Sequence, residues 1–280
     1  MKEMDFQDNA MRNERVKVAL GQMLVEGGAV EANLARAVEM IHCAAQLGCR
    51  IIVLPECLDV GWTHPNAHQY AQPIPGDRAD RLAEAASSAK IFVAAGLTEL
   101  HGDYLYNAAV LINSGGDLIL KHRKINVLDI AQDVYQIGDR LAVARTSWGV
   151  LGIDICSDNF PNSLDIGRTM GRMGAQLLLS PSAWAVDSDH DNEREPYGGL
   201  WLSAYGQLAN EFQMPVVGVS NVGPITAGPW VGRKCIGCSL VIDKAGEQVV
   251  MGPYDQEALI VAELELTPDR PQGTKISGML

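Results

Sequence analysis

The amino-acid sequence predicts one α/β domain of four layers, an αββα sandwich in which two β-sheets pack face to face between outer helices. Strand-like and helix-like segments alternate along both halves of the 280 residues, and no composition shift or linker divides them. Hydrophobic residues make up 47% of the chain and charged residues 20%, so there is enough apolar material for a large core. We assign residues 15–270 to this domain and treat 1–14 and 271–280 as tails.

The elements of the first half are predicted from the spacing of apolar residues. Between residues 31 and 47 these recur at helical spacing, and Gly48 stands where a helix ends. Residues 51–54 form a continuous apolar run, which is typical of a central strand covered on both faces. The other elements predicted here are a strand at 16–23, a helix at 78–89, a strand at 91–95, and a hairpin of 106–112 and 118–120 around Gly115-Gly116.

The second half repeats the alternation after a polar loop predicted at 125–145. The predicted elements are a strand at 150–155, a helix at 164–173, a strand at 176–179, a helix at 200–212 and a strand at 216–219. Short strands at 239–242, 249–251 and 258–262 follow, with a turn at 244–246. Two stacked sheets with helices outside accommodate all of these elements.

Charge and cysteine content restrict the function classes. The chain has 34 acidic and 22 basic residues, a net charge of −12, and its longest basic run is the short stretch 121–124, which argues against nucleic-acid binding. The six cysteines are too few for a disulfide scaffold, and the polar N-terminus does not resemble a secretory signal. We therefore expect free thiols and a cytoplasmic location. No apolar run is long enough to predict a membrane span.

Three reactive side chains directly follow predicted strands, which is where open α/β sheets place their active sites. Glu56 is either a general base of raised pKa or a carboxylate satisfied by backbone donors. Lys124 is either a functional lysine or a solvated strand end. Cys156 lies between a strand and a helix N-terminus, which favours thiolate character, although a structural cysteine is the alternative.

Other motifs give no sign of a metal or cofactor. Cys235 and Cys238 have the spacing of half a zinc site, but no second ligand pair accompanies them. No glycine-rich phosphate loop is present, so no nucleotide cofactor is implied. The acidic segment 187–195 is interpreted as a solvated lid or surface loop rather than a metal site or a selector of cationic substrates.

Taken together, these residues resemble the nitrilase superfamily of carbon–nitrogen hydrolases, over about residues 16 to 266. The motifs that carry the resemblance are Leu54-Pro55-Glu56, Pro75-Gly76, Tyr106-Asn107-Ala108-Ala109, Arg123-Lys124, the block from Gly152 to Pro161, the block from Gly174 to Trp184, Asn221-Val222-Gly223, and the block from Gly237 to Asp243. Their order and spacing agree together, which makes chance similarity very improbable.

The resemblance implies the αββα fold and a triad of Glu56, Lys124 and Cys156. In it Cys156 is the nucleophile, Glu56 the base, and Lys124 with the Ser157 N–H the oxyanion donors. Trp62 and Trp184 stand where an aromatic side chain could contact substrate, with core packing as the alternative for each. It also implies no cofactor and a homodimer or larger assembly.

The sequence departs from the family pattern at three places. Many members carry a second glutamate in the loop after the lysine, a few residues before a Gly-Asp pair. Counting back from Gly138-Asp139 without gaps puts Ala131 at that position. Asp129 or Asp133 could take the place of the glutamate, or its role is absent or filled from elsewhere. Ser157 stands where an aromatic residue is common, and Asn126 where a histidine often follows.

The function that the resemblance implies is thiol-dependent hydrolysis of a small amide or N-carbamoyl compound. Amides are favoured because Ser157-Asp158 replaces the Trp-Glu that often follows the cysteine of true nitrilases. Nitrile hydrolysis is one alternative. A catalytically weakened binding protein on the same fold is the other.

Overall fold

The computed structural model describes residues 14–267, which contain five α-helices and 15 strands. The helices are α1 (Val30–Gln46), α2 (Ala67–Tyr70), α3 (Asp77–Ala89), α4 (Asp165–Arg172) and α5 (Gly199–Phe212). The strands are β1 (Glu14–Gln22), β2 (Ile51–Val53), β3 (Phe92–His101), β4 (Tyr104–Ile112), β5 (Leu118–Arg123), β6 (Val143–Thr146), β7 (Gly149–Ile153), β8 (Leu177–Ser182), β9 (Ala185–Asp187), β10 (Val216–Ser220), β11 (Val222–Pro224), β12 (Arg233–Ile236), β13 (Leu240–Ile242), β14 (Gln248–Met251) and β15 (Ala258–Leu266). The predicted tails lie outside the described residues, apart from Glu14, which begins β1.

The strands form two six-stranded sheets and one small sheet. The first sheet has the order β15-β1-β2-β3-β4-β5 and the second the order β14-β13-β10-β8-β7-β6. In each, three central strands run parallel: β1, β2 and β3 in the first, β7, β8 and β10 in the second. Their carboxyl ends therefore lie at a common edge, where side chains that follow the strands can meet.

Two apolar cores hold the layers together. The larger lies between the sheets and joins side chains such as Val18 and Val53 of the first sheet to Ile153 and Leu179 of the second. The other lies between the outer face of the first sheet and helices α1 and α3, with Leu34, Ile41 and Leu82 among its members. Helices α4 and α5 pack on the second sheet. This arrangement confirms the predicted αββα sandwich.

Most predicted elements are present within a few residues of their predicted bounds, and three features differ. Strand β3 extends to His101, beyond the predicted end at 95, because its pairing with β4 continues to the hairpin turn. The loop predicted at 125–145 contains a 3-10 turn at Asp129–Ala131 and the start of β6. The small sheet of β11, β12 and β9 was not predicted, since the pairing of its strands depends on contacts between distant parts of the chain.

No helix within residues 14–267 is both long enough and apolar enough to cross a bilayer.

Candidate active site

Glu56 is held at the carboxyl end of β2 by two neighbouring strands. The Glu56 N–H donates to Ser182 O of β8 at 3.2 Å, and the Gly96 N–H of β3 donates to Pro55 O at 2.9 Å. Gly96 allows the close approach, because a Cβ atom added there would lie 2.5 Å from the Glu56 Cα. The turn that follows is tight, and Cys57 has a φ of 46°. Glu56 itself is 1% exposed.

Lys124 lies directly after β5, opposite Glu56. Its N–H donates to Asn107 O of β4 at 2.8 Å, and its carbonyl accepts from the Gly138 N–H at 2.8 Å. The first bond extends the β4–β5 ladder by one residue, and the second holds Lys124 to the loop before β6. Lys124 is only 3% exposed, so the interpretation as a solvated strand end is wrong.

Cys156 follows β7 at the start of a 3-10 turn, Cys156–Asn159. Its φ of 47° lies in the left-handed region, which costs a non-glycine residue on the order of 1–3 kcal/mol. Such a conformation persists only where the surroundings impose it, and it is common at reactive residues.

The three side chains converge at one buried point. Lys124 Nζ donates to Glu56 Oε1 at 2.7 Å, and Asn107 Nδ2 donates to the same oxygen at 2.5 Å. The other oxygen, Oε2, is buried without a hydrogen-bond partner among the described residues. Glu56 therefore has one oxygen fixed by two donors and one free to exchange a proton.

Burial and neighbouring charges shift the pKa values of Cys156 and Lys124. Burial first and the adjacent Glu56 charge second raise the pKa of the Cys156 thiol to about 12, although Lys124 opposes the shift. The expectation of thiolate character at Cys156 is wrong, because these two effects outweigh any dipole of a single 3-10 turn. Burial alone would lower the pKa of Lys124, but Glu56 and Cys156 outweigh it and the pKa is raised.

A buried histidine–aspartate pair locks the nucleophile turn to the loop after Lys124. Asp158 Oδ2 accepts hydrogen bonds from His122 Nε2 at 2.8 Å and from the Ile155 N–H at 3.0 Å. Its Oδ1 accepts from the N–H groups of Ile125 at 3.0 Å and Asn126 at 2.7 Å. Burial opposes ionisation of Asp158, but the hydrogen bond and charge of His122 outweigh it and lower its pKa. The sequence analysis did not identify this pair.

Two of the three departures from the family pattern, Asn126 and Ser157, contact each other. Asn126 Nδ2 donates to Ser157 O at 2.6 Å, and Ser157 Oγ donates to Asn126 O at 2.7 Å. No acceptor for the Ser157 N–H is found within residues 14–267. That N–H therefore remains available to a ligand at Cys156.

Neither proposed substitute for the second glutamate lies at the site. Asp129 and Asp133 are both exposed, while Ala131 is buried between them. Within the described chain, Glu56 is the carboxylate paired with Lys124, and Asp158 acts on Lys124 only through its charge. The substitution of either aspartate for the usual glutamate is thus contradicted.

Another buried carboxyl group, that of Asp154, lies two residues before Cys156 in the chain. Asp154 Oδ1 accepts from Asn159 Nδ2 at 2.7 Å, and Asp154 Oδ2 is buried without a partner among the described residues. Burial, followed by the charge of Asp158, raises the pKa of Asp154 to about 7.

A cavity of about 150 Å³ opens onto Cys156. Trp62 and Trp184, the predicted substrate contacts, both line it. The sequence analysis missed the other large side chains of its wall, which are Leu128, Phe160, Tyr197, Trp201 and Trp230. Trp230 could have been noticed as a tryptophan within a loop rich in glycine and proline, whereas Trp201 looks like any core residue of a helix.

The remaining candidate groups stay outside this cavity. Segment 187–195 is largely exposed, as predicted for a surface loop, and Asp187 pairs with Arg233 at 3.0 Å. Cys235 and Cys238 are free buried thiols. Residues 14–267 contain no group of three or more His, Cys, Asp or Glu side chains placed to hold a metal ion.

Comparison with known proteins identifies the family. The model of the carbon-nitrogen hydrolase family matches residues 17–268. The chain belongs to this family. This carbon-nitrogen hydrolase is 30% identical to a nitrilase of Pyrococcus abyssi over 90% of both chains. It is 31% identical to omega-amidase NIT2-A of Xenopus laevis over 90% of this chain and 89% of that one. The solved structure of Nit3 from Saccharomyces cerevisiae, a member of the nitrilase superfamily, superposes with a TM-score of 0.77 at 26% identity, over 90% of both chains.

Proposed function

We propose that this carbon-nitrogen hydrolase cleaves small carboxamides or N-carbamoyl compounds through a thioester at Cys156. The observation that supports the proposal is the Lys124–Glu56 contact of 2.7 Å, buried beside Cys156 at the base of the cavity. An isolated buried ion pair adds little to stability. Its position beside a thiol in a left-handed conformation favours a catalytic role.

Acylation begins with a neutral thiol, because the pKa of Cys156 lies at about 12. Glu56 takes the thiol proton while Sγ attacks the amide carbon, so that a free thiolate never has to accumulate. The oxygen of the tetrahedral intermediate becomes negative and accepts hydrogen bonds from Lys124 Nζ and the Ser157 N–H. One donor of this kind contributes about 3 kcal/mol to transition-state stabilisation.

The second half of the reaction uses the same carboxyl group. Glu56 returns its proton to the leaving nitrogen, which departs as ammonia or an amine and leaves the acyl group on Cys156. Glu56 then takes a proton from water as the water attacks the thioester carbon. The carboxylic acid leaves, and the proton returns to Cys156 Sγ.

The experiment is ammonia or amine release from a panel of amides, N-carbamoyl compounds and nitriles, with mass spectrometry of the acylated protein. Cys156→Ala is expected to abolish turnover. Glu56→Gln keeps the shape but cannot take the proton, so kcat is expected to fall by roughly 100- to 10,000-fold. Cys43→Ala, at a partly exposed thiol on α1, is the matched control and should retain full activity.

Three results would contradict the proposal. Unchanged hydrolysis by Cys156→Ala would rule out the thioester. A protein that releases nothing from any compound, and whose Cys156 resists iodoacetamide, would favour the binding-protein alternative. Release from nitriles alone would replace amide hydrolysis by nitrile hydrolysis within the same set of residues.

A further inference from the structure

Six of the twelve residues that line the cavity above Cys156 are aromatic. Trp184 stacks on Trp201 with ring centres 4.8 Å apart and planes 20° from parallel. Across the cavity Trp62 packs on Trp230 with centres 4.7 Å apart. The polar group of the nearby Tyr197 is a neutral hydroxyl, whose oxygen accepts from Trp201 Nε1 at 3.0 Å. The wall thus presents ring faces to a bound molecule.

Charged groups are absent from this wall beyond the reacting residues. Among the lining side chains that the structure describes, Glu56 and Lys124 are the charged ones, and they pair with each other. Arg233 is not among the lining residues; its guanidinium lies 4.7 Å from the ring centre of Trp230 and pairs with Asp187 at 3.0 Å. A carboxylate at the far end of a substrate would therefore find no cation within the cavity.

The energetic consequence favours neutral substrates. A carboxylate transferred from water into an apolar site without a countercharge loses hydration that neutral groups replace only in part. An apolar group in the same place gains from each unit of surface removed from water. A volume of about 150 Å³ also matches the apolar cavities that enclose a molecule of the size of benzene.

We infer that the acyl group accepted at Cys156 is neutral and apolar, and that amides with a distal carboxylate are excluded. This inference rests on the proposed hydrolysis and adds its substrate class. The tryptophan faces determine the specificity by providing apolar contact and withholding any ionic partner.

The test compares two amides of equal size and opposite character. 4-Methylpentanamide and succinamate have the same number of heavy atoms, but the first ends in an isopropyl group and the second in a carboxylate. The wild-type kcat/KM is expected to be at least about 100-fold higher for 4-methylpentanamide, as the loss of an unpaired buried charge predicts.

A variant pair tests the cause of this preference. Leu128→Arg places a cation on the cavity wall and is expected to raise kcat/KM for succinamate at least about tenfold, since it supplies the missing ion pair. Ile130→Arg adds the same charge two residues away, at a position that is 36% exposed and outside the cavity, and should leave the ratio unchanged.

The outcomes separate this inference from the proposed function. Hydrolysis of succinamate as fast as of 4-methylpentanamide by the wild type would overturn the inference and leave the hydrolysis intact, whether or not Leu128→Arg folds. An equal rise in succinamate turnover for both arginine variants would also overturn it, by showing a long-range charge effect. Absence of turnover on every amide, with Cys156 inert to iodoacetamide, would instead contradict the proposed function.

Discussion

At the scale of single residues, two of the three departures from the family pattern form one hydrogen-bonded unit. Asn126 and Ser157 exchange hydrogen bonds from side chain to backbone in both directions, and so join the loop after Lys124 to the turn that carries Cys156. An aromatic residue at position 157 would lack the short hydroxyl group with which Ser157 donates to Asn126 O. The polar pair therefore keeps the junction closed where the family more often places larger side chains.

This arrangement predicts energetic coupling between the two positions. Asn126→Ala and Ser157→Ala should each lower the free energy of unfolding by about 1 kcal/mol, the usual net value of one hydrogen bond. The double variant should lose less than the sum by at least about 0.5 kcal/mol, because either change alone already loosens the junction. Urea unfolding of the four proteins measures the difference. Strict additivity would contradict the coupling.

The site residues that follow an apolar strand could be predicted from the sequence, but the buried residues that hold them in place could not. Glu56, Lys124 and Cys156 each end a strand, and that placement is visible in the order of residues. Asp158 and His122 stabilise the site through contacts across 36 positions, which no local pattern reveals. The protonation of Cys156 was misjudged because burial, which dominates it, is a property of the folded chain.

At the scale of elements, the close approach of β3 to the segment after β2 positions the proposed base. The Gly96 N–H bonds to Pro55 O, and a Cβ at Gly96 would meet backbone atoms of residues 55–57 at 2.5–2.9 Å. A side chain could relieve such a clash by changing its rotamer, but these backbone atoms cannot. The position of Glu56 relative to Lys124 thus depends on a missing methyl group in the neighbouring strand.

Gly96→Ala is expected to displace Glu56 and lower kcat by at least about tenfold, because a misplacement of 1 Å in a catalytic group can cost 100-fold. Overpacking of this kind should also reduce the free energy of unfolding by about 1–3 kcal/mol. Amide turnover and urea unfolding measure the two effects.

The matched control is Gly199→Ala at the start of α5, where an added Cβ has no neighbour within 4 Å. It should leave kcat and stability close to the wild type. Equal activity of the two glycine variants would mean that the approach of β3 does not position Glu56.

Elements with a clear apolar pattern were predicted well, and the strands of the small sheet were not, for a physical reason. The helix α1 and the strand β2 carry enough periodic or continuous apolar residues to identify them. Strands β9, β11 and β12 pair with one another in a sheet separate from the two large ones, and no local pattern reveals such pairing.

At the scale of the whole molecule, a buried carboxyl group links stability to pH. The pKa of Asp154 is raised to about 7 by burial, from an ordinary value of 3.8. Between these pH values the folded chain holds a proton that the unfolded chain has released. The folded state is therefore favoured at the acidic end of this window, and the contribution is lost as pH rises through about 7.

Asp154→Asn should remove this dependence, since an amide is neutral in both states. The free energy of unfolding of the wild type should fall, relative to the variant, by up to about 1.4 kcal/mol for each pH unit within the window. Urea unfolding at pH 5, 6, 7 and 8 gives both curves. Parallel curves for the two proteins would show that Asp154 does not titrate there.

The aromatic cavity gives the molecule an optical property. Four of its five tryptophans line that one cavity, and the fifth, Trp148, packs edge-on against Phe92. A compound that enters must displace water from indole faces, and indole emission responds to its solvent. The intrinsic fluorescence of this protein should therefore change when a ligand fills this cavity, without any label. Because the signal does not depend on turnover, ligand binding can also be measured with a catalytically inactive variant.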